Sequence, residues 1–523
     1  MYFCVEEDSN LKNIYKLILV LIIIISILSS IILFPHNLHD SNNETEEINL
    51  LNYEEKDKIE DYINKNLNQS KIPGLSITIV KYDKTIYQKG FGYSDIENKL
   101  RVNSKTLFEI GSNSKAVTAL GILCLQRDGK LELQDQVSKY IPWLKVKYNG
   151  KEVPITIEQL LYQTSGIPFK TIKNIPISDK NNAIEETVRT LVGIELDSEP
   201  GENFQYATIN YDVLGLIIEK ITGKSYESYI KENIFKPMGL NNTYLYKSEF
   251  DKDQMAKGYM FFLLQPRLYN APVYSGNKPA GYIISSGEDM SKWLKFQLGT
   301  LNNSKFDNSL IVQSHKANES VFLDKNLLYA SGWFVYSPDE VLIFHGGNNP
   351  NYSSYIILNP QNKIGVSVLC NMNSEYVEKI GYGIYEILNG KFYNKNVIDL
   401  NKLVDFFSTL IIIITLLIIV IILFHLVIVL NKVLKKERQL VKTNKIHLFL
   451  IISFFFMLAV NITISLIPYI FYYGLSWQFI FVWLPKTIKI ALYLIYICNG
   501  CIYINFLITS IYKKNQKYVL TKL

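Results

Sequence analysis

Four runs of mostly apolar residues, 14–34, 404–430, 448–472 and 488–511, constrain this chain more than any other feature. Each is long enough to cross the hydrocarbon of a bilayer, which takes about 20 residues of helix. Lipid offers no water to satisfy backbone N–H and C=O groups, so runs of this kind fold as helices. A hydrophobic fraction of 48% over 523 residues, with slightly positive mean hydropathy, fits a chain that is part soluble and part membrane-embedded.

Charge orients the four runs. The loop 431–447 carries Lys432, Lys435, Lys436, Arg438, Lys442 and Lys445 against Glu437 alone, and the tail 512–523 carries Lys513, Lys514, Lys517 and Lys522. Basic loops stay on the cytoplasmic side, which places both inside. Segments 1–13 and 14–34 then read as a cytoplasmic N-terminus and an outgoing helix. Residues 35–52, acidic and rich in asparagine, read as a solvated linker, and 391–403 as a second tether. Between them lies a region, 53–390, expected outside the cell membrane. Run 14–34 reads as an uncleaved anchor: Glu6, Glu7 and Asp8 precede it, it exceeds the roughly 7–15 apolar residues of a secretion signal, and no Ala-x-Ala site follows. Loop and tail together exceed the formal +6 of the whole chain, so the positive balance concerns topology and not nucleic acid.

Within 53–390 the stretch Phe108-Glu-Ile-Gly-Ser-Asn-Ser-Lys115 carries the first chemical signal. Positions i and i+3 of a helix share a face, so Lys115 lies beside Ser112 and can take its hydroxyl proton. Apolar residues Val117, Leu120, Ile122 and Leu123, with Gly129 as a stop, predict a buried helix whose N-terminal dipole favours negative charge near Ser112. By itself Ser-x-x-Lys is a short pattern, and an N-cap serine with a solvated lysine is its plain alternative. Its company changes the reading: Leu160-Leu-Tyr-Gln-Thr-Ser-Gly-Ile-Pro168, Phe204-Gln-Tyr-Ala-Thr-Ile-Asn-Tyr211, Pro279-Ala-Gly-Tyr282 and His345-Gly346-Gly347 follow in order.

In order and spacing this set resembles the serine beta-lactamase and penicillin-binding-protein family, specifically its class C-like branch, over roughly residues 53–390. The resemblance implies an α+β, beta-lactamase/transpeptidase-like fold: an antiparallel sheet from both ends of the domain, flanked by helices, with a helical insert. It implies Ser112 as nucleophile, Lys115 as its partner and Tyr206 as a base whose pKa falls below the usual value of about 10 beside a cationic lysine. The backbone N–H groups of Ser112 and Asn348 would form the oxyanion hole, with His345, Gly346, Gly347 and Thr208 lining the substrate site. Two positions depart from the family pattern. Thr208 stands where an asparagine amide would hold a substrate amide, and His345 replaces a lysine, leaving a pH-dependent charge for a substrate carboxylate.

The implied function is a membrane-anchored extracytoplasmic serine hydrolase working through an acyl-enzyme on cell-wall peptide, D-amino-acid amide or ester substrates, with beta-lactams as candidate ligands. The alternative is a catalytically weak penicillin-binding sensor or cell-envelope interaction protein, raised by Thr208 and the extra membrane segments. No cofactor or metal is expected, the histidines and cysteines being few and scattered. Cys124 and Cys370 read as core thiols. Periodicity predicts helices over 53–69, 212–222 and 375–388, a hairpin of strands 74–82 and 85–91, and late strands at 333–336, 340–344, 353–358 and 364–370.

Overall fold

The computed structural model describes residues 48–301, 305–319, 321, 323–337, 340–441 and 444–515. The expected helix 14–34, the N-terminal 1–13, most of the linker and the last eight residues lie outside them. Two units form: one runs from the start of the described chain to Leu400, apart from Phe261–Gln265, and the other is Asn401–Leu523 with that short segment.

A nine-stranded sheet centres the first unit, every ladder in it antiparallel. Its path runs Ile48–Asn49, Lys84–Asp95, Gly74–Lys81, Ile364–Cys370, Tyr352–Asn359, Leu342–Asn349, Phe334–Tyr336 and Leu327–Tyr329, with Leu100–Arg101 off the second strand. The two ends of the domain therefore meet at the ladder joining Gly74–Lys81 to Ile364–Cys370, with Val368 opposite Ile77. Alternation of side chains then decides what covers each face. On one face the helix Tyr376–Leu388 sets Gly381 against Tyr355 and Val368, a contact too close for any side chain. On the other, Gly287–Gln297 sets Leu294 against Gly365, and Thr78 donates to Gly287 O at 3.0 Å. The opening helix Tyr53–Ser70 is capped by Asn52, whose side chain accepts from Glu55 N at 2.9 Å. It buries Ile59, Ile63 and Leu67 at helical spacing.

Inserted between the early and late strands is a helical layer. Its two central helices, Ser114–Arg127 and Ile209–Thr222, are buried on nearly all sides. Cys124 and Cys370 are buried, as their patterns indicated. The strand expected over 340–344 does not end before the histidine: it runs Leu342–Asn349 and takes His345-Gly346-Gly347 into the sheet. Glycines weaken a local strand signal, yet pairing with Tyr352–Asn359 continues to Asn349 opposite Tyr352.

In the second unit, Leu400–Leu434, His447–Phe471 and Lys486–Ile511 are long and apolar enough to cross a membrane. Arg438–Leu440 and Tyr512–Lys514 form a two-stranded ladder, pairing the basic loop with the start of the basic tail.

Candidate active site

Ser112 lies in a single 3-10 turn, Gly111–Asn113, that leads into the helix Ser114–Arg127, rather than within that helix. Three glycines hold this turn. Gly111 has φ +52, and a side chain on it would come within 2.5 Å of Asn348 N. One on Gly347 would run into Ile110 O, and one on Gly332 would reach Ala116 N at 2.6 Å. The nucleophile turn thus touches the strand Leu342–Asn349 backbone to backbone. It does so where that strand's other edge is open, because Phe334–Tyr336 pairs only as far as Phe344. Ser354 Oγ locks the approach by donating to Ile110 O at 2.6 Å while accepting from Asn113 Nδ2 at 2.7 Å. Asn348 N lies against Gly111, the residue before Ser112, and Asn348 is exposed.

Lys115 is fully buried and its Nζ has three partners: Ser112 Oγ at 3.0 Å, Thr208 Oγ1 at 3.2 Å and Ala280 O at 2.8 Å. Ala280 comes from the Pro279-Ala-Gly motif, which sequence reasoning noted without giving it a role. The short helix Lys278–Gly281 carries it. Burial lowers the Lys115 pKa to about 7, against an opposing pull from the Asp212 carboxylate. Asp212, on Ile209–Thr222, was not singled out from the sequence; it is buried, accepts from Asn277 Nδ2 at 2.6 Å, and is pushed up by desolvation.

Tyr206 is hydrogen-bonded to Ser112, and its ring centroid lies 5.1 Å from Lys115 Nζ. The expected downward shift of its phenol does not occur: burial pushes it well above the ordinary tyrosine range. The reason is physical, since a lysine itself brought to about 7 offers little positive charge to hold a phenolate. The turn carrying Tyr206 and Thr208 is held by Gln163, another residue missed as functional. Its backbone O accepts from Gln205 N at 2.8 Å, and its side-chain Oε1 accepts from Ala207 N at 3.0 Å and from Asn210 Nδ2.

His345 departs most from its sequence expectation. It is 2% exposed, and desolvation together with nearby Lys115 lowers its pKa to about 3. The ring is neutral near neutral pH instead of switching there. Both ring nitrogens are engaged, Nδ1 with Gly346 O at 2.6 Å and Nε2 with Tyr329 Oη at 3.3 Å. Around it stand Phe334 at 5.2 Å and Tyr206 and Tyr329 each at 6.1 Å between ring centroids. Gly346 opens onto free space, and Thr208 faces Lys115.

A serine and a desolvated lysine on one turn, beside the open edge of an antiparallel strand, define a serine hydrolase of the beta-lactamase fold. The chain belongs to the beta-lactamase family, whose model matches residues 59–387. It is similar to Protein flp of Staphylococcus aureus (strain MW2), 36% identical over 451 residues, covering 84% of this chain and 88% of that protein. The octameric penicillin-binding protein homologue from Pyrococcus abyssi shares the fold with a TM-score of 0.56 and 32% identity, over 64% of this chain and 78% of its own. EstCE1, described as a hydrolase with promiscuous acyltransferase activity, superposes with a TM-score of 0.54 at 20% identity, over 61% of this chain and 94% of its own, a likeness of fold.

Proposed function

We propose that the chain is a membrane-anchored serine hydrolase that forms an acyl-enzyme on Ser112 with ester, D-amino-acid amide or cell-wall peptide substrates, its catalytic unit lying outside the cytoplasmic membrane. The observation that carries this is the three-way environment of Lys115 Nζ. A neutral amine has two N–H donors and one lone pair. Ala280 O can only accept, and Thr208 Oγ1 takes the second N–H, so the lone pair faces the Ser112 hydroxyl. Lys115 is then the base that removes the serine proton.

Acylation follows as a balanced step. Ser112 Oγ bonds to the substrate carbonyl carbon while its proton passes to Lys115, and the carbonyl oxygen becomes an oxyanion facing Ser112 N–H and Asn348 N–H. The bond to the leaving group then breaks as the proton held by Lys115 reaches the departing atom, which lies beside the Tyr206 phenol. Water repeats the sequence on the acyl-serine and restores the enzyme. A phenol that keeps its proton can donate a hydrogen bond to that atom.

The test is the intact mass of the purified full-length chain in detergent after exposure to a small activated ester and to a penicillin, with Ser112→Ala alongside. An acyl adduct present in the parent and lost in the variant supports the reading. Absence of any adduct from folded protein overturns it in favour of a sensor or interaction role.

A further inference from the structure

Resting on the acyl-enzyme reading, the geometry around Tyr206 says which leaving groups the site accepts. The proton that leaves Ser112 returns to the substrate past Tyr206, so the departing group passes the surface that surrounds this residue. That surface is aromatic. Phe334 is nearly parallel to Tyr206, at 11° and 6.5 Å between centroids, and Phe204 joins through Phe334 at 6.4 Å. Tyr329 backs all three, meeting Tyr206 edge-on at 86° and Phe334 at 83°. Phe204, Tyr206 and Phe334 are each part-exposed, whereas Tyr329 and His345 are buried behind them. The wall therefore offers ring faces and edges to whatever lies beside Ser112.

The two signs of charge fare differently on this wall. A carboxylate needs hydrogen-bond donors, yet both His345 nitrogens are occupied and the three directions of Lys115 Nζ are taken by Ser112, Thr208 and Ala280. An ammonium group would gain from the ring faces. Burying an unpaired charge is costly, and burying an aryl group against aromatic rings is favourable.

We propose that the enzyme selects substrates whose leaving group is aromatic or otherwise apolar, seated on Phe204, Tyr206 and Phe334, and discriminates against leaving groups bearing a carboxylate. In each case the new bond is Ser112 Oγ to the acyl carbon, the broken bond is acyl carbon to leaving oxygen, and the departing alcohol takes the serine proton.

Three esters sharing one phenylacetyl group test this with the full-length chain in detergent. The leaving groups are 3-hydroxybenzoate, its methyl ester, and 3-(trimethylammonio)phenol, giving negative, neutral and positive charge on the same ring. Ser112 acylation rates are each divided by the rate of hydroxide-catalysed hydrolysis, which removes intrinsic leaving ability. The neutral ester should exceed the negative one by about tenfold or more, with the positive ester above the negative one. Phe334→Ala should erode that preference by slowing the neutral ester more than the negative one. Normalised rates that are equal, or highest for the negative ester, overturn the inference and leave the acyl-enzyme standing. No Ser112-dependent adduct from any of the three overturns both.

Discussion

Lys115 Nζ stands 3.0 Å from Ser112 Oγ at the bottom of a site where burial has brought the lysine pKa down to about 7. The amine accepts the serine proton only in its neutral form. The rate of Ser112 acylation should therefore climb about tenfold per pH unit below 7 and level off above it. His345 does not disturb this profile, being neutral down to about 3. Asp212 is the group that holds the lysine pKa up, so Asp212→Asn should move the midpoint to lower pH. Acylation rates with an uncharged ester between pH 5 and 9 measure both. A flat or falling limb would remove Lys115 from the role of base.

Gly346 and Gly347 are neighbours with opposite demands. A side chain on Gly346 enters open space, whereas one on Gly347 runs into Ile110 O and Ser354. Gly346→Ala should leave the thermal midpoint unchanged. Gly347→Ala should cost about 1–3 kcal/mol of stability and push Asn348 N–H away from Ser112. Losing one oxyanion donor typically slows acylation by about 10²–10³. Unfolding curves and ester acylation rates of the two variants separate these effects, and equal behaviour of the pair would contradict the strand placement.

Gln163 takes part in no bond-breaking, but its Oε1 satisfies Ala207 N–H and the Asn210 amide beneath Tyr206. Gln163→Leu leaves those buried donors without an acceptor, at a cost of about 1–3 kcal/mol for each. The variant should melt earlier and acylate more slowly, while the pH midpoint set by Lys115 stays near 7. A shifted midpoint would mean that Gln163 acts on the lysine instead of on the turn.

Much of this arrangement was legible before any coordinates. Helices with one apolar stripe, such as Tyr53–Ser70, and strands whose sequence alternates, such as Gly74–Lys81, carry their own signal within their own span. That Ser112, Lys115 and Tyr206 lie together was legible because motif order holds even when each motif is short. Protonation states were not legible, because they depend on burial by residues far away in sequence: Phe334 and Tyr329 enclose His345, and Asp212 faces Lys115. Contacts made by backbone were equally hidden. Ala280 O and the cleft left by Gly332 depend on where the chain runs, and an alanine or glycine advertises nothing about that.

The membrane unit yields a prediction that depends on pairing as much as on charge. Arg438 lies opposite Lys514 and Leu440 opposite Tyr512 in one small ladder, so the loop after the first described apolar helix and the end of the last emerge on the same side. The basic residues there predict that this side faces the cytoplasm. In a chain whose native cysteines are replaced, Lys435→Cys and Lys513→Cys should resist a membrane-impermeant maleimide in intact cells and react together once the membrane is permeabilised. Lys84→Cys, on an exposed position of the catalytic unit, should react in intact cells. If Lys435→Cys and Lys513→Cys differ from each other, the ladder is wrong; if both react in intact cells while Lys84→Cys does not, the orientation is reversed and the catalytic unit faces the cytoplasm.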